Sequence, residues 1–276
     1  MHAEAHAAAP HVTVVTVVRN AREALAGTIE SVLAQTHRPL DYLVLDGASS
    51  DGTLDLLRRY EGRLRFWSEP DGGIYDAMNH ALPRIGRPDS YVFFLNADDR
   101  FVAPDAVARV MAHAGEADFV HCLLELRDDA RHSRDVAGGA VTLRDFHLRN
   151  RCGHQMIFAR RSLFDRVGAF DLRWRLAADY DWAIRVFQDV AVAKRFVPEI
   201  CASMGAGGLS DTGYMRLLDE RGRIVRERFG AGAAARFAAF RYAVELPSLG
   251  ARRALAAVGL LGAARRMRRA FRGATA

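Results

Sequence analysis

Apolar residues along the chain fall first in unbroken runs and then at helical spacing, and the two patterns alternate. Val12 to Val18 is continuous and mostly β-branched, as expected of a strand buried on both faces of a mainly parallel sheet. From Ala21, the positions Leu25, Ile29, Val32 and Leu33 recur at helical spacing, and Pro39 closes a unit that returns as a strand at Tyr42 to Leu45. Gly47 to Gly52 is rich in turn residues and precedes a short helix carrying Leu54, Leu56 and Leu57, then a third apolar run from Leu64 to Trp67. A helix from about Ile74 to Leu82 leads into the apolar run Tyr91 to Leu95, and Pro104 to Ala112 has the pattern of another helix. Beyond Phe119 to Leu124 the pattern loosens into a polar stretch, Arg127 to Gly139, which reads as a surface loop. Strand character returns at Gln155 to Ala159 and helical character at Leu163 to Val167 and Asp179 to Phe187. Gly205 to Ser210 reads as a linker, and from Tyr214 the chain is rich in Ala, Arg and Leu and helical in pattern, with Pro247 as a break.

This alternation predicts an α/β fold, a mixed but mainly parallel sheet flanked by helices, with a helical C-terminal appendage. The expected organisation is a disordered segment over 1–11, the α/β domain over 12–205 and a helical extension over 206–276 that ends in a basic amphipathic tail. At 276 residues and 50% hydrophobic composition the chain has enough apolar surface for a large core. Cys122, Cys152 and Cys201 are too scattered for a zinc knuckle and odd in number for a disulfide framework, so a reducing cytoplasm is expected. The Val12 to Val18 run is too short and too soon followed by Arg19 for a secretion signal, and none is expected.

Charge changes the picture only at the C-terminus. Arg252, Arg253, Arg265, Arg266, Arg268, Arg269 and Arg272 follow the last acidic residue, Glu245, and account for the net charge of +6. A body near neutrality argues against nucleic acid as a partner, because such enzymes spread their basic residues along the substrate groove. On a helix, Leu260, Ala264, Met267 and Phe271 share a stripe opposite most of the tail arginines, a pattern suited to the anionic inner face of the plasma membrane. Packing of that stripe on the domain or on a second subunit is the alternative. The apolar part, Ala254 to Gly262, is too short to span a bilayer.

The strongest local chemistry is Asp98 and Asp99, adjacent carboxylates directly after an apolar strand. They repel each other unless a cation neutralises them, and magnesium or manganese commonly uses one or two protein carboxylates and leaves room for substrate phosphates. A solvated loop with a helix cap is the other reading. Asp46 also follows a strand, and ligands in open α/β sheets bind beyond the carboxyl ends of strands. Asp51 reads as a helix cap. Gly72 and Gly73 would let backbone amides approach a phosphate, or simply form a turn. Asp179 and Asp181 begin a helix, where the dipole favours carboxylates whatever else they do. His154 has the ordinary reading of a core or turn histidine, and Gln155 beside it adds hydrogen-bonding capacity. No phosphate-binding Gly-x4-Gly-Lys loop, zinc helix, serine elbow or dinucleotide glycine fingerprint is present.

Five segments together resemble the inverting glycosyltransferases of family 2: Val14 to Asn20, Asp46 to Thr53, Ser68 to Asn79, Leu95 to Asp99 and Ala178 to Arg185. The Glu69 to Asn79 stretch is similar to bacterial exopolysaccharide and capsule enzymes. The resemblance implies a GT-A catalytic domain that moves a sugar from a nucleotide-diphosphate donor, a UDP-sugar by default, to a saccharide or lipid-linked acceptor in cell-surface polysaccharide synthesis. It implies donor contacts from Thr16, Val18, Asn20, Asp46, Glu69, Asp71, Gly73, Asn79, Asn96 and Ala97, with Asp46 on the base. It implies a divalent cation, Mn2+ or Mg2+, on Asp98, and Asp179 as general base. Asp99, His154, Gln155, Asp181 and Arg185 are further candidates. Where the family has Asp-x-Asp this chain has Asn96-Ala97-Asp98, so the first carboxylate is an amide. An oligomer is compatible with the pattern. The competing readings are a nucleotidyltransferase, which lacks here the early basic glycine-rich loop it needs, and a non-catalytic nucleotide-sugar binder.

Overall fold

A computed structural model describes residues 9–128, 132–205 and 213–245. The first strand, β1 (Val12–Val18), is buried throughout, and its side chains alternate between two cores as a period of two requires. Val15 and Val17 face one core; Val12, Val14 and Val18 face the other. Parallel neighbours β2 (Leu40–Asp46) and β4 (Tyr91–Phe94) flank β1, and β3 (Arg65–Ser68) adds to β2 as a parallel edge. The helices α1 (Arg22–Leu33), α2 (Thr53–Arg58) and α4 (Ala106–Ala112) cover one face through Leu25, Ile29, Leu57 and Val107. The other face is covered by α3 (Ile74–Ala81), α5 (Arg161–Val167) and α6 (Ala178–Gln188), with Met78, Phe164 and Trp182 against the sheet.

Beyond β4 the sheet becomes mixed. The order is β3-β2-β1-β4-β8-β6-β9-β5, with β7 (Ser133–Ala137) paired to β6 (Phe119–Asp128). Here β8 (Ile157–Arg160) runs antiparallel to β4 and β6, β9 (Lys194–Gly205) runs parallel to β6, and the two-residue β5 (Arg100–Phe101) pairs antiparallel with β9. The mixed, mainly parallel sheet between helical layers is the architecture expected from the sequence.

Two expectations are corrected. Arg127 to Gly139 is not simply a surface loop: it contains the end of β6 and all of β7, whose Arg134, Val136 and Ser133 alternate between exposed and half-buried positions. As an outer strand it has little apolar periodicity to read. Pro10 and His11 are ordered, because the His37 ring meets the Pro10 carbonyl at 2.8 Å and the His11 ring meets Ser90 Oγ at 2.8 Å. The expected helical C-terminal region is present as α7 (Tyr214–Phe229) and α8 (Ala231–Phe240), and its Leu218, Ile224, Val225 and Phe237 lie in the same core as Trp182. The Glu220 carboxylate on α7 accepts the backbone N–H groups of Arg175, Leu176 and Ala177 at 3.1, 2.8 and 3.0 Å, which braces the chain entering α6. The basic tail and most of the Gly205 to Ser210 linker lie outside the described residues. No helix among the described residues is long and apolar enough to cross a membrane, and the three cysteines are free and buried.

Candidate active site

The carboxyl ends of β1, β2 and β4 share one edge of the sheet, and the segments that follow them carry most of the residues singled out by sequence. After β4, the loop Asn96 to Asp99 is held by the Thr28 hydroxyl of α1, which lies 2.8 Å from the carbonyls of both Ala97 and Asp99. This restraint separates the two carboxylates. Asp98 is exposed, whereas Asp99 is only 2% exposed. Burial pushes the Asp99 carboxyl up to about 6, opposed by His154 and by a 3.3 Å hydrogen bond from Gln155 Nε2.

Asp98 Oδ2 lies against the end of β9: a Cβ on Gly205 would stand 2.7 Å from it, so a side chain there would turn the exposed carboxylate away from the strand. Among the described residues no group of three or more His, Cys, Asp or Glu side chains could enclose a metal. One exposed carboxylate beside one buried one fits a cation shared with substrate phosphates, in the manner of magnesium and manganese, and does not fit a protein-enclosed metal.

Asp46, at the end of β2, is 1% exposed and committed within the fold. It accepts a 2.6 Å bond from the Ser68 hydroxyl and 3.1 Å from the Ser49 amide, and the Ser49 hydroxyl bonds its other oxygen. The Ser49–Ser50 turn is closed by Asn20, whose Oδ1 accepts the Ser50 N–H at 2.8 Å. Asp71 folds over this turn close enough that a side chain on Gly47 would collide with its carboxylate. The Gly73 N–H donates to Asp71 Oδ1 at 2.8 Å and the Gly72 N–H to Asp76 Oδ2 at 2.7 Å, so both amides are occupied by the chain's own carboxylates. Glu69 pairs with Arg84 at 2.7 Å and with His80 at 3.4 Å. Asp51 is not itself an N-cap, since Ala21 and Gly52 hold those positions, but from beside them it accepts the Arg22 N–H at the start of α1 at 3.0 Å and the Thr53 N–H at the start of α2 at 2.9 Å.

Several sequence candidates are engaged elsewhere. Thr16 is buried in the middle of β1 with its hydroxyl 3.0 Å from Tyr42 Oη, and Val18 is a core side chain. The Asn79 amide binds both backbone groups of Phe170, at 2.9 and 3.0 Å, and so staples the loop before α6 onto α3. Asp181, 1% exposed, is locked between Arg185 Nε at 3.1 Å and Arg228 Nε at 2.8 Å, away from the Asp98 loop. Arg185 itself donates to the carbonyls of Val167, Gly168 and Ala169.

Asp179, two residues earlier on α6, points the other way. Its Oδ1 accepts Tyr75 Oη–H at 3.0 Å and the Tyr180 N–H at 2.7 Å; its Oδ2 accepts the His154 N–H at 3.2 Å and meets His154 Nδ1 at 3.0 Å. Burial raises this carboxyl, but the hydrogen bonds and charge of His154 and the Tyr75 hydroxyl outweigh that, and Asp179 titrates below the usual carboxylate range. The His154 ring carries the link onward: its Nε2 lies 3.4 Å from Asn96 Oδ1 on the Asp98 loop. Tyr75, Thr28 and Gly205 belong to this site and were not among the sequence candidates. Tyr75 had only its place one helical turn from Asn79 to signal it, and Gly205 none.

The glycosyl transferase family 2 model matches residues 13–175, more than half of the chain. A PGL/p-HBAD biosynthesis glycosyltransferase of Mycobacterium bovis is 35% identical over 214 residues, covering 74% of this chain and 81% of that protein. A putative teichuronic acid biosynthesis glycosyltransferase, TuaG of Bacillus subtilis, is 39% identical over 97 residues, 33% of this chain and 37% of its own. Among solved structures, residues 1–349 of S. aureus TarS in complex with UDP-GlcNAc match with a TM-score of 0.62 at 15% identity, over 84% of this chain and 73% of that one. The mannosyltransferase PcManGT from Pyrobaculum calidifontis, in complex with GDP-Man and Mn2+, matches with a TM-score of 0.58 at 20% identity, over 97% and 81%. With the fold, the family model and the mycobacterial relative in agreement, the chain belongs to glycosyl transferase family 2 and has the GT-A fold.

Proposed function

We propose that the protein transfers a sugar from a nucleotide-diphosphate donor, UDP-linked by default, to a saccharide or lipid-linked saccharide acceptor in cell-surface glycan synthesis, with inversion at the anomeric carbon. One observation carries this reading: the loop Asn96 to Asp99 brings the exposed Asp98 carboxylate close to Asp179, the proposed general base, whose partner His154 reaches Asn96 Oδ1 with Nε2 at 3.4 Å. Departure of the diphosphate needs negative charge neutralised on one side of the anomeric carbon, and attack by a hydroxyl needs a proton removed on the other. Asp98 would hold a divalent cation, manganese or magnesium, which supplies that neutralisation when bound with the donor. The ordered turns around Asp46, Asn20 and Asp71 would form the floor for the nucleotide. The relatives' names, for PGL/p-HBAD biosynthesis and teichuronic acid biosynthesis, support a cell-surface product. TarS with UDP-GlcNAc and PcManGT with GDP-Man and Mn2+ support the donor class and the cation.

The test is turnover against a panel of UDP-GlcNAc, UDP-glucose, UDP-galactose and GDP-mannose with manganese and a set of p-nitrophenyl glycosides. One donor should be consumed, and its product should have the opposite anomeric configuration. Retention would overturn the single-displacement mechanism, and consumption of none of the donors would overturn the activity.

The arginine-rich tail would bring this site to the inner face of the plasma membrane, where lipid-linked acceptors are presented. Each arginine near an anionic leaflet contributes about 1 kcal/mol, and the seven that follow Glu245 suffice together for reversible attachment. The full chain should float with phosphatidylserine or phosphatidylglycerol vesicles at low salt and a chain ending at Glu245 should not. Equal flotation of the two rules the tail out as the anchor.

A further inference from the structure

Next to the Asp98 loop, a groove of about 620 Å³ opens between α4, β5, β9 and the β6–β7 hairpin, a volume in the range that holds small-molecule ligands. Its charged walls are Arg100, Arg109, Arg127 and Arg134 against Glu125 and Glu199. Strand register concentrates this charge. Arg127 on β6 stands directly opposite Arg134 on β7, and like charges so placed destabilise a strand pair unless something negative lies near them. Glu125 supplies part of that, meeting Arg134 at 3.3 Å and accepting the Ser203 hydroxyl at 2.9 Å. Glu199 is taken up by Arg109 at 3.1 Å. The remaining walls hold three arginines to one glutamate.

Arg100 is placed by a glycine inside a helix. Paired across the strands with Ser203, it lays its guanidinium over Gly27 of α1, where a Cβ would stand 2.5 Å from Cζ. Glycine is unfavourable in a helix interior, and here the missing side chain makes the room for the guanidinium. Among the described residues no carboxylate pairs with it. The groove also reaches the reaction centre. The point where a Cβ on Gly205 would stand is 2.7 Å from Asp98 Oδ2 and 3.8 Å from Arg127 Nη2, so the end of β9 leaves carboxylate and guanidinium side by side.

We propose that this groove holds the acceptor, and that the acceptor is acidic: a saccharide bearing carboxylate or phosphate groups, which Arg100, Arg127 and Arg134 bind beside the reacting centre. This rests on the glycosyl-transfer reading and names its acceptor class. A guanidinium presents paired N–H donors that match carboxylate and phosphate alike. An acidic saccharide relieves the repulsion between the opposed arginines and a neutral one leaves it standing, so charge selects the acceptor as well as shape.

The experiment is calorimetry on the full chain with UDP and manganese present, so that the nucleotide site is filled. The probes are maltotriose, a phosphorylated maltotriose and trigalacturonate. At least one acidic trisaccharide should bind ~10-fold or more tighter than maltotriose and lose that advantage as salt is raised. Which of the two gains tells phosphate from carboxylate. Arg100→Gln and Arg134→Gln alter exposed side chains, so the fold should persist, and each should cut the advantage by about tenfold. Arg58→Gln on α2, outside the groove, should keep it. In turnover the favoured trisaccharide should compete with a p-nitrophenyl glycoside acceptor and not with the donor. Equal binding of all three probes, or an advantage untouched in both groove variants, overturns the proposal. So does competition with the donor, which assigns the arginines to the nucleotide, or variants that lose only binding to anionic vesicles, which assigns them to a membrane. A wild-type protein that consumes no donor is a different result: it removes the transfer reading, while trisaccharide binding still tests the groove.

Discussion

Replacing Asp98 with alanine is expected to lower donor turnover by ~10²-fold or more, and a chelator should do the same to the wild type until manganese or magnesium is restored. The size follows from the chemistry. Neutralising charge on a leaving diphosphate is worth several kcal/mol, and each ~1.4 kcal/mol is a factor of ten in rate. The two neighbouring carboxylates are not equivalent. Asp98 is exposed beside Gly205, while Asp99 is buried against Gln155, with its backbone carbonyl held by Thr28. Asp99→Asn should therefore act mainly through the shape of the loop and cost less activity than Asp98→Ala. Gly205→Ala offers an independent check, because its Cβ would fall 2.7 Å from Asp98 Oδ2 and push the carboxylate aside. It should weaken the response to manganese while the fold persists. Full activity of Asp98→Ala, or of the wild type after exhaustive metal removal, would show that the diphosphate leaves without a cation at this position.

What the sequence made legible, and what it hid, follows from how each residue is buried. The strand β1 was readable to its ends because both faces are packed and every position is apolar or Thr. By contrast, β9 is as long as any strand in the sheet yet gave no signal. It carries Lys194, Arg195, Pro198 and Glu199, and its pairing with β6 slips between His121 and Leu123, opposite the stretch that contains Pro198. A proline tolerated at a bulge looks, in one dimension, like the end of a strand. The site shows the same division. Asp98, Asp179 and His154 could be picked out as residue types at element ends. The hydrogen bond from Tyr75 to Asp179 joins positions 104 residues apart, and nothing local to Tyr75 announces it. Nor could spacing tell that Glu220 would brace the chain entering α6, because that contact exists only once α7 has docked.

Asp179 and Asp181 pose the sharpest case, and their amide variants are expected to fail in different ways. Both lie in the first turn of α6 and both favour the helix dipole. Residues two apart on a helix point to different sides, however, and here one faces His154 while the other faces Arg228 on α7. In Asp179→Asn an amide NH2 turned toward His154 leaves the His154 N–H without its acceptor. Turned the other way, it leaves the Tyr180 N–H without its acceptor. Either arrangement removes the carboxylate that would take the acceptor proton, so the catalytic rate should fall by ~10²-fold or more with donor affinity nearly unchanged. Asp181→Asn should instead cost stability. Asp181 is 1% exposed and binds Arg228 through both oxygens, at 2.8 and 3.1 Å, and Arg185 at 3.1 Å. Leaving two arginines around a neutral amide should cost about 3 kcal/mol, read as a melting temperature lower by about 5–10 °C. At a temperature where it remains folded, its transfer rate should stay within about tenfold of wild type. If Asp181→Asn were folded but inactive and Asp179→Asn kept its rate, the proton-handling role would pass to the Asp181–Arg185–Arg228 cluster. The assignment of Asp179 as the base would then be lost.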